Sequence, residues 1–483
     1  MMYGIKNRLQ STVYFQTGKS QRSQHSVSGF TRWLGTGAGI LLLAACTTYH
    51  EQPLRDESPL IDDIAMLQVD VSEMPGLQST QHTFDLSDGL DLDEVGILAV
   101  LNNPDLKVQR AILDVAGAQA FAAGLLPDPR VSAVLERPTS EGADLVDAWL
   151  FGLGVDIVPL ITHQANVDAG KGTQRKVQLD LLWQEWQVIQ QARTLAVDWS
   201  LEQQRLELLY RILEHYKKRY ENSSSALVSG NITLDVNGTD LTAVVDTLSK
   251  INDLERTHNQ TRHDLNLLLG LRPEVKVDIT PLPPDTPIAS ELLEEKLADI
   301  AQRRPDLLAL KAGYESQEAR VRAAILSQFP SLGIEINRAR DTSAINTMGL
   351  GVTLDLPLLS GNRGNIAIER ATRAQLHEEY QARLAHAVTD VDRLRELQVI
   401  IHHQQDTLET YLPRLKVLVD RARRVYGQGD IDALTFLNME STWVNKRLEQ
   451  ISLVQDSWKN RIALEALLAL PGYPAVEQHH ENN

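Results

Sequence analysis

The stretch "MGLGVTLDLPLL", residues 348–359, decides the fold. In an extended chain Met348, Leu350, Val352, Leu354 and Leu356 fall on one face, while Gly349, Gly351, Thr353 and Asp355 fall on the other. That is the period of two that a strand produces and a helix cannot. Just upstream, Leu332, Ile334 and Ile336 alternate with Gly333, Glu335 and Asn337 in the same way. Large apolar side chains on one face and Gly, Thr, Asp or Glu on the other suit a sheet lying between two different media.

An earlier counterpart, "FGLGVDIVPL", begins at Phe151, with Trp149, Phe151, Leu153, Val155 and Ile157 opposing Ala148, Leu150, Gly152, Gly154 and Asp156. Leu150 is its one misfit. Val131 to Arg137 is a shorter and less regular strand. Strands are therefore expected at about residues 131–137, 148–158, 331–338 and 347–357.

The echo extends beyond the strands. "NNPDLKVQRAILDV" from Asn102 matches "RRPDLLALKAGYES" from Arg303, placing the two Pro-Asp-Leu motifs 201 positions apart. "LNLLLGLRP" from Leu265 is echoed more weakly by "LEALLALPGYP" from Leu464. The chain reads as two copies of one unit, residues 91–287 and 288–473, joined at the Pro-rich "TPLPPDTP" of residues 280–287, with a polar tail at 474–483.

Each copy has a helical stretch rich in Ala and Arg, then two strands, then two long helices. The leading helices are Pro104 to Leu126 and Pro305 to Gln328, each beginning with a proline in its first turn and an aspartate behind it, a normal helix start. Pro127 and Pro330 stand where helix gives way to strand, Pro159 and Pro357 where strand gives way to helix, and none of them can extend a hydrogen-bond ladder. From Leu160 to about Glu221 and from Gly364 to about Tyr426 no breaker intervenes except Pro413, so each helix would span roughly 90 Å. In the last helix, steps of three and four from Leu434 meet Leu437, Ser441, Val444, Leu448, Ile451, Gln455, Trp458, Ile462, Glu465 and Ala469, a mostly apolar coiled-coil stripe. Its few polar members suggest packing against several neighbours in a wide structure.

The N-terminal 45 residues carry Lys6, Arg8, Lys19, Arg22 and Arg32 and no acid, then an apolar run from Trp33 to Ala45. This is the design of a signal peptide, absent from the working protein. With those five positive charges removed, a chain of net charge −17 becomes a body of −22, a poor partner for nucleic acid. No later window holds 18 uninterrupted apolar residues, so no transmembrane helix is expected after the signal.

Four strands cannot close a barrel, and an open sheet edge in hydrocarbon leaves unpaired backbone groups costing several kcal/mol each. If the sheet lies in a membrane, the chain must oligomerise. The competing arrangement is a water-soluble four-stranded sheet packed on the helices.

"LAAC", residues 43–46, resembles the lipobox of bacterial lipoproteins, in which the cysteine, here the single Cys46, receives fatty-acyl chains such as palmitate after cleavage. Thr47, in place of an aspartate, points to the outer membrane, and residues 46–90 would form an extended anchor segment. With the paired "PDL" helices, "GLGVTLDLPLLSGNRG" at 349–364 and "YGQGDIDALTFLNMESTW" at 426–443, the chain resembles the outer-membrane factor family, the TolC-like efflux lipoproteins. The resemblance covers residues 90–473.

It implies a mainly α fold with a small membrane β portion, in a homotrimer whose chains each give four strands to a twelve-stranded barrel, continued by a periplasmic α-barrel. It implies a passive exit duct, opened when a periplasmic adaptor and an inner-membrane transporter, often of the resistance-nodulation-division class, dock on it. The only cofactor expected is the covalent lipid on Cys46. The rival function is a lipid-anchored periplasmic coiled-coil scaffold without a pore.

Within the family the duct narrows at the periplasmic tips, where helix pairs turn. The matching turn is Tyr426-Gly427-Gln428-Gly429-Asp430, with a first-copy equivalent around Ser223 to Asn231. Tyr426 and Gly429 fit the family's Y-x-x-G spacing. The two acids that family members often carry beyond the glycine are replaced by Thr435 and Asn438, and Asp430 and Asp432 are the acids placed to substitute for them. A solvated turn is the alternative reading of those two.

No Walker loop, G-x-S-x-G or H-E-x-x-H motif is present, so the sequence offers no catalytic constellation. His402-His403 and His479-His480 lack a metal framework, and adjacent helical residues point about 100 degrees apart, a poor chelate. The exported cargo is not legible.

Overall fold

The computed structural model describes residues 49–69, 89–139, 144–356 and 360–470. Cys46, Pro357 and His479-His480 lie outside the described residues. Residues up to Ser58 form a unit of their own, in which residues 49–58 have no regular secondary structure. The architecture below belongs to the second unit, which begins at Pro59.

Helix α1 (Leu92–Asn102) leads into α2 (Pro104–Ala123), strands β1 (Arg130–Glu136) and β2 (Ala148–Asp156), and the long helices α3 (Val158–Val228) and α4 (Leu234–Leu268). The second copy opens with α5 (Ser290–Ala298) and the single turn α6 (Ile300–Arg303). It continues through α7 (Pro305–Leu326), β3 (Ser331–Arg340), β4 (Asn346–Asp355), α8 (Arg363–Gln428) and α9 (Ala433–Leu468). The order within each copy is the expected one, and the four strands fall within two residues of their expected limits. The leading helices stop two to three residues earlier than expected, at Ala123 and Leu326.

The strands form one antiparallel meander in the order β1-β2-β3-β4. Its register has no bulge: Leu153 sits between Val131 and Ile336, and Ile336 between Leu153 and Leu350. The period-two faces of all four strands thus coincide. The competing packed sheet is corrected here, because the apolar face is not covered by the chain's own helices. Met348 is 80% exposed, Leu135 76% and Leu350 71%.

Three of the junction prolines are described. Pro159 occupies the first turn of α3, where a missing N–H costs nothing. Pro127 lies between α2 and β1, and Pro330 immediately precedes β3. Pro413 does not end α8. It sits on the exposed side of the helix, where the Glu409 carbonyl that loses its helical donor can turn to water.

Glycine governs how closely the long helices approach. A Cβ on Gly170 would lie 3.2 Å from Ala120 Cα of α2, and one on Gly172 only 2.8 Å from Ser316 Cβ and 3.0 Å from Ser316 Cα of α7. Helix α3 is therefore flanked closely on two sides. Ser316 Oγ donates to the Ala169 carbonyl (2.7 Å), satisfying the hydroxyl that this approach buries.

One apolar cluster lies partway along α3. There Val95, Leu98 and Ala99 of α1 meet Ala192 and Ala196 of α3 and Leu265 and Leu269 at the end of α4. The Asp91 side chain caps α1 in a reciprocal box with Glu94. Ile61 pairs in parallel with Leu271, and Leu90 with Ile279, so segments before α1 run beside the linker between the copies.

Among the described residues no helix is long and apolar enough to cross a membrane. Gly172→Leu is expected to force α7 off α3 and to lower stability by about 1–3 kcal/mol, visible as a lower thermal midpoint by circular dichroism. An unchanged midpoint would mean that the two helices do not meet there.

Candidate functional site

Two regions gather the sequence-predicted residues: the polar face of the sheet with its junction to the helices, and the tips where long helices turn. On the polar face Gly152, Gly154, Gly333, Gly349 and Gly351 leave room, and polar side chains from neighbouring strands fill it. A Cβ on Gly152 would collide with the Glu335 carboxylate and the Ser132 hydroxyl. The glycine lets Glu335 of β3 reach across β2 and accept a 3.0 Å hydrogen bond from Ser132 Oγ of β1. At the helical end Arg130 pairs with Asp156, and Ser331 Oγ donates to Asp355 Oδ2 (2.6 Å). Glu335 and Asp355 have no cation among the described residues. This face is polar and acidic, and the opposite one is apolar as far as Arg338 and Arg340.

At the second-copy tip α8 ends on Gly429, whose φ of +83° is the left-handed conformation that glycine adopts at least cost. Its N–H donates to the Tyr426 carbonyl (3.0 Å), and the N–H of Asp430 to the Val425 carbonyl (3.2 Å). Asp430 is exposed. Asp432 is the N-cap of α9: its carboxylate accepts from the Thr435 N–H and from Thr435 Oγ1, both at 2.7 Å. The Thr435 hydroxyl and then the backbone donors hold the Asp432 carboxyl below its ordinary value. Thr435 is thus the partner of an acid that closes the turn, and Asn438 is exposed one turn further on.

The first-copy turn lies at the far end of the range expected for it, around Ser223 to Asn231. Helix α3 continues through Ser223 to Val228, and Gly230 takes the positive φ (+69°). Ser223 and Ser224 remain helical and accept hydrogen bonds from Asn237 Nδ2 of α4 (3.1 and 3.0 Å), bracing the two arms below the turn.

Between the two tips lies an ionic cluster that no pattern in the sequence singled out. Arg219 of α3 donates through Nε to Asp240 of α4 (2.6 Å) and through Nη1 to Glu440 of α9 (2.8 Å). Arg423 of α8 donates to the other Glu440 oxygen (2.9 Å). One cluster ties all four long helices together. The Arg219 guanidinium lies over the rings of Tyr216 (4.8 Å) and Phe436 (5.7 Å), and Phe436 stacks on Tyr426 (5.1 Å between centroids). Burial, and next the Glu440 charge, drive the Tyr216 phenol well above its ordinary pKa, while burial and Asp240 raise that of Tyr426. The signal that could have found the cluster is that Asp240 and Glu440 stand ten and eleven residues beyond the two tip glycines, Gly230 and Gly429.

His402 is exposed and faces Asp406 at 3.8 Å. No group of three or more potential metal ligands is present among the described residues.

The second copy, residues 297–470, matches the family model described as outer membrane efflux protein. Over that copy the chain resembles the family, the TolC-like outer-membrane factors. A probable outer membrane lipoprotein, SilC of Salmonella typhimurium, is 22% identical over 284 residues, 55% of this chain and 59% of its own length. The cobalt-zinc-cadmium resistance protein CzcC of Cupriavidus metallidurans is 26% identical over 184 residues, 37% of this chain and 43% of its own. The matches thus span less than two thirds of these curated relatives. The fold likeness is broader. The outer-membrane channel OprN superposes with a TM-score of 0.70 over 89% of this chain and 100% of its own, at 18% identity. The CmeC outer membrane channel of Campylobacter jejuni does so at 0.68 over 89% and 96%, at 15% identity.

Glu440→Ala would leave Arg219 and Arg423 facing each other without their shared acid. A loss of about 3 kcal/mol is expected in denaturant unfolding, and a loss under 0.5 kcal/mol would show the cluster to be hydrated. Asp432, whose folded pKa is depressed, supports its cap fully above the unfolded carboxylate value of about 3.9. That support is lost as pH falls through the lower folded value. Hydrogen exchange at the Thr435 amide should therefore stay slow at pH 5 and quicken only below about pH 4, whereas Asp432→Ala should exchange fast at both.

Proposed function

We propose that the protein is the outer-membrane channel of a tripartite efflux system: a passive homotrimeric duct, anchored by lipid on Cys46, with its helical body in the periplasm. The observation that carries this reading is the four-stranded meander itself. Much of its apolar face is exposed, its two outer strands β1 and β4 each leave one edge unpaired among the described residues, and one end joins the helices α2, α3, α7 and α8. Three copies joined edge to edge satisfy every backbone group in hydrocarbon and turn the acidic face inward, toward a water-filled lumen.

No energy-coupling site is needed in such a duct. The periplasmic adaptor and an inner-membrane pump, of the resistance-nodulation-division class, would act at the helical tips, where the Arg219–Glu440 contact joins the first-copy pair of helices to the second. Metal cations are the cargo this reading favours, since one relative is named for cobalt, zinc and cadmium resistance and Glu335 and Asp355 on the face turned to the lumen accept from serine hydroxyls and have no cationic partner among the described residues.

The decisive test is the mass of the purified, acylated protein in detergent together with its conductance in a planar bilayer. A trimer forming a cation-preferring pore, with the preference reduced by Glu335→Gln and Asp355→Asn, is the expected result. A monodisperse monomer with no membrane-inserted β signal would overturn the duct and leave the lipid-anchored scaffold.

A further inference from the structure

The outward face of the sheet is not apolar along its whole height. The strands meet the helices at Arg130, Asp156, Ser331 and Asp355, so the opposite rim lies at Glu136, Ala148, Arg340 and Asn346. On β3 the outward positions are Leu332, Ile334, Ile336, Arg338 and Arg340. The apolar run thus gives way to two arginines at the rim farthest from the helices. Arg338 stands between Phe151 and Met348, and Arg340 between Trp149 and Asn346.

Neither arginine has an acidic partner among the described residues, although the chain is acidic overall. The adjacent acid, Asp341, is taken up by its own turn, accepting from the N–H groups of Ser343 (2.8 Å) and Ile345 (2.9 Å). The other arginine at this rim, Arg137, is paired with Asp147 at 3.2 Å. Arg338 is exposed, and Nε of Arg340 is buried without a hydrogen-bond partner.

An unpaired guanidinium at the border of a hydrocarbon-facing surface is costly unless it extends to the interface and finds an anion there. Trp149 and Phe151, with ring centroids 5.4 Å apart, mark that interface as an aromatic border. Along the strand Leu354 to Met348 spans about 20 Å, so Arg338 projects from the top of the apolar belt. Two positions further on, Arg340 lies about 7 Å away, a spacing that one headgroup bearing two phosphates can bridge. Arginine is the side chain suited to this task, because its planar fork takes a phosphate in two parallel hydrogen bonds.

We propose that Arg338 and Arg340, flanked by Trp149 and Phe151, form a binding site for the phosphate-bearing glycolipid headgroups of the outer leaflet. The site rests on the reading of the sheet as part of a membrane barrel. It adds to that reading a specific lipid contact at the far rim, which would fix the height of the barrel in an asymmetric membrane.

The test is a titration of the purified trimer in detergent with lipid A, followed by native mass spectrometry. Wild type should bind lipid A at least tenfold more tightly than its fully dephosphorylated form, and the R338Q/R340Q variant should lose that margin. R338K/R340K should retain part of it, and the charge-matched variant R211Q/R256Q, altered far from the sheet, should retain all of it. Equal affinity of wild type for both lipids, undiminished binding by R338Q/R340Q, or displacement of lipid A by millimolar inorganic phosphate would each overturn the proposal. A wild-type trimer that inserts into vesicles yet ignores the phosphates removes this inference alone, whereas a wild-type chain that neither trimerises nor inserts removes the duct reading and the lipid site with it.

Discussion

The constraint on which the rest of the molecule depends is the saturation of backbone hydrogen bonds at two strand edges. Within the chain β2 and β3 are paired on both sides, while β1 and β4 each present one unpaired edge. In water such an edge costs little. In hydrocarbon every unpaired N–H and C=O costs several kcal/mol, so the sheet must meet other sheets. In the proposed duct, closure by several copies would set a width, and the helices leaving the same end would line a wall of that width. Helices that enclose a hollow cannot share one central core, and the apolar clusters are accordingly distributed along the helices in separate groups.

The passage from strand to helix is where period two gives way to period 3.6, and the sequence marks it with prolines. A helix bundle continuing a sheet also needs its helices closely spaced near the junction. The small residues of α3 answer that need, with Gly170 against α2 and Gly172 against α7 at distances that a side chain would prevent. Further along, the constraint relaxes and large side chains such as Trp186 and Ile189 fill the space against α1.

The strands and the duplicated order of helices were legible because periodicity is a property of neighbours in sequence: Met348 to Leu356 alternate whatever lies across from them. The register was legible only in part, since Leu150, the misfit in β2, pairs with Val134 on the polar face and breaks the binary pattern at two strands together. The exact end of α3 was hidden because Ser223, Ser224 and Ser225 read as turn residues, whereas in the helix Ser223 and Ser224 accept from Asn237 and Ser225 bonds back to the Glu221 carbonyl. The tip cluster left only the matched placement of Asp240 and Glu440 beyond Gly230 and Gly429 as a trace in the sequence. Arg219 and Glu440 lie 221 positions apart, and each alone is an ordinary charged residue on a long helix. Asp432 was visible as an acid near the turn, but its engagement as an N-cap depends on the backbone of Thr435.

The polar members of the α9 stripe have partners of their own. In a two-stranded coiled coil every inward position faces one partner, and a polar residue there is a defect tolerated for specificity. Here Gln455 is buried, accepts from Arg205 of α3 (2.9 Å) and donates to Asp198 of the same helix (2.5 Å). Glu465 takes the Arg461 guanidinium at 2.9 Å and approaches Arg193 of α3 at 3.6 Å. Apart from the Arg461–Glu465 pair within α9, these contacts lie along the α3–α9 seam, between helices of different copies. An apolar stripe would let α9 slide or rotate against α3 at little cost, because dispersion is nearly indifferent to register. A hydrogen-bonded glutamine with two assigned partners is not indifferent. The polar positions therefore fix the height of α9 relative to α3, and with it the level at which the tip glycines Gly230 and Gly429 and their cross-helix acids come together.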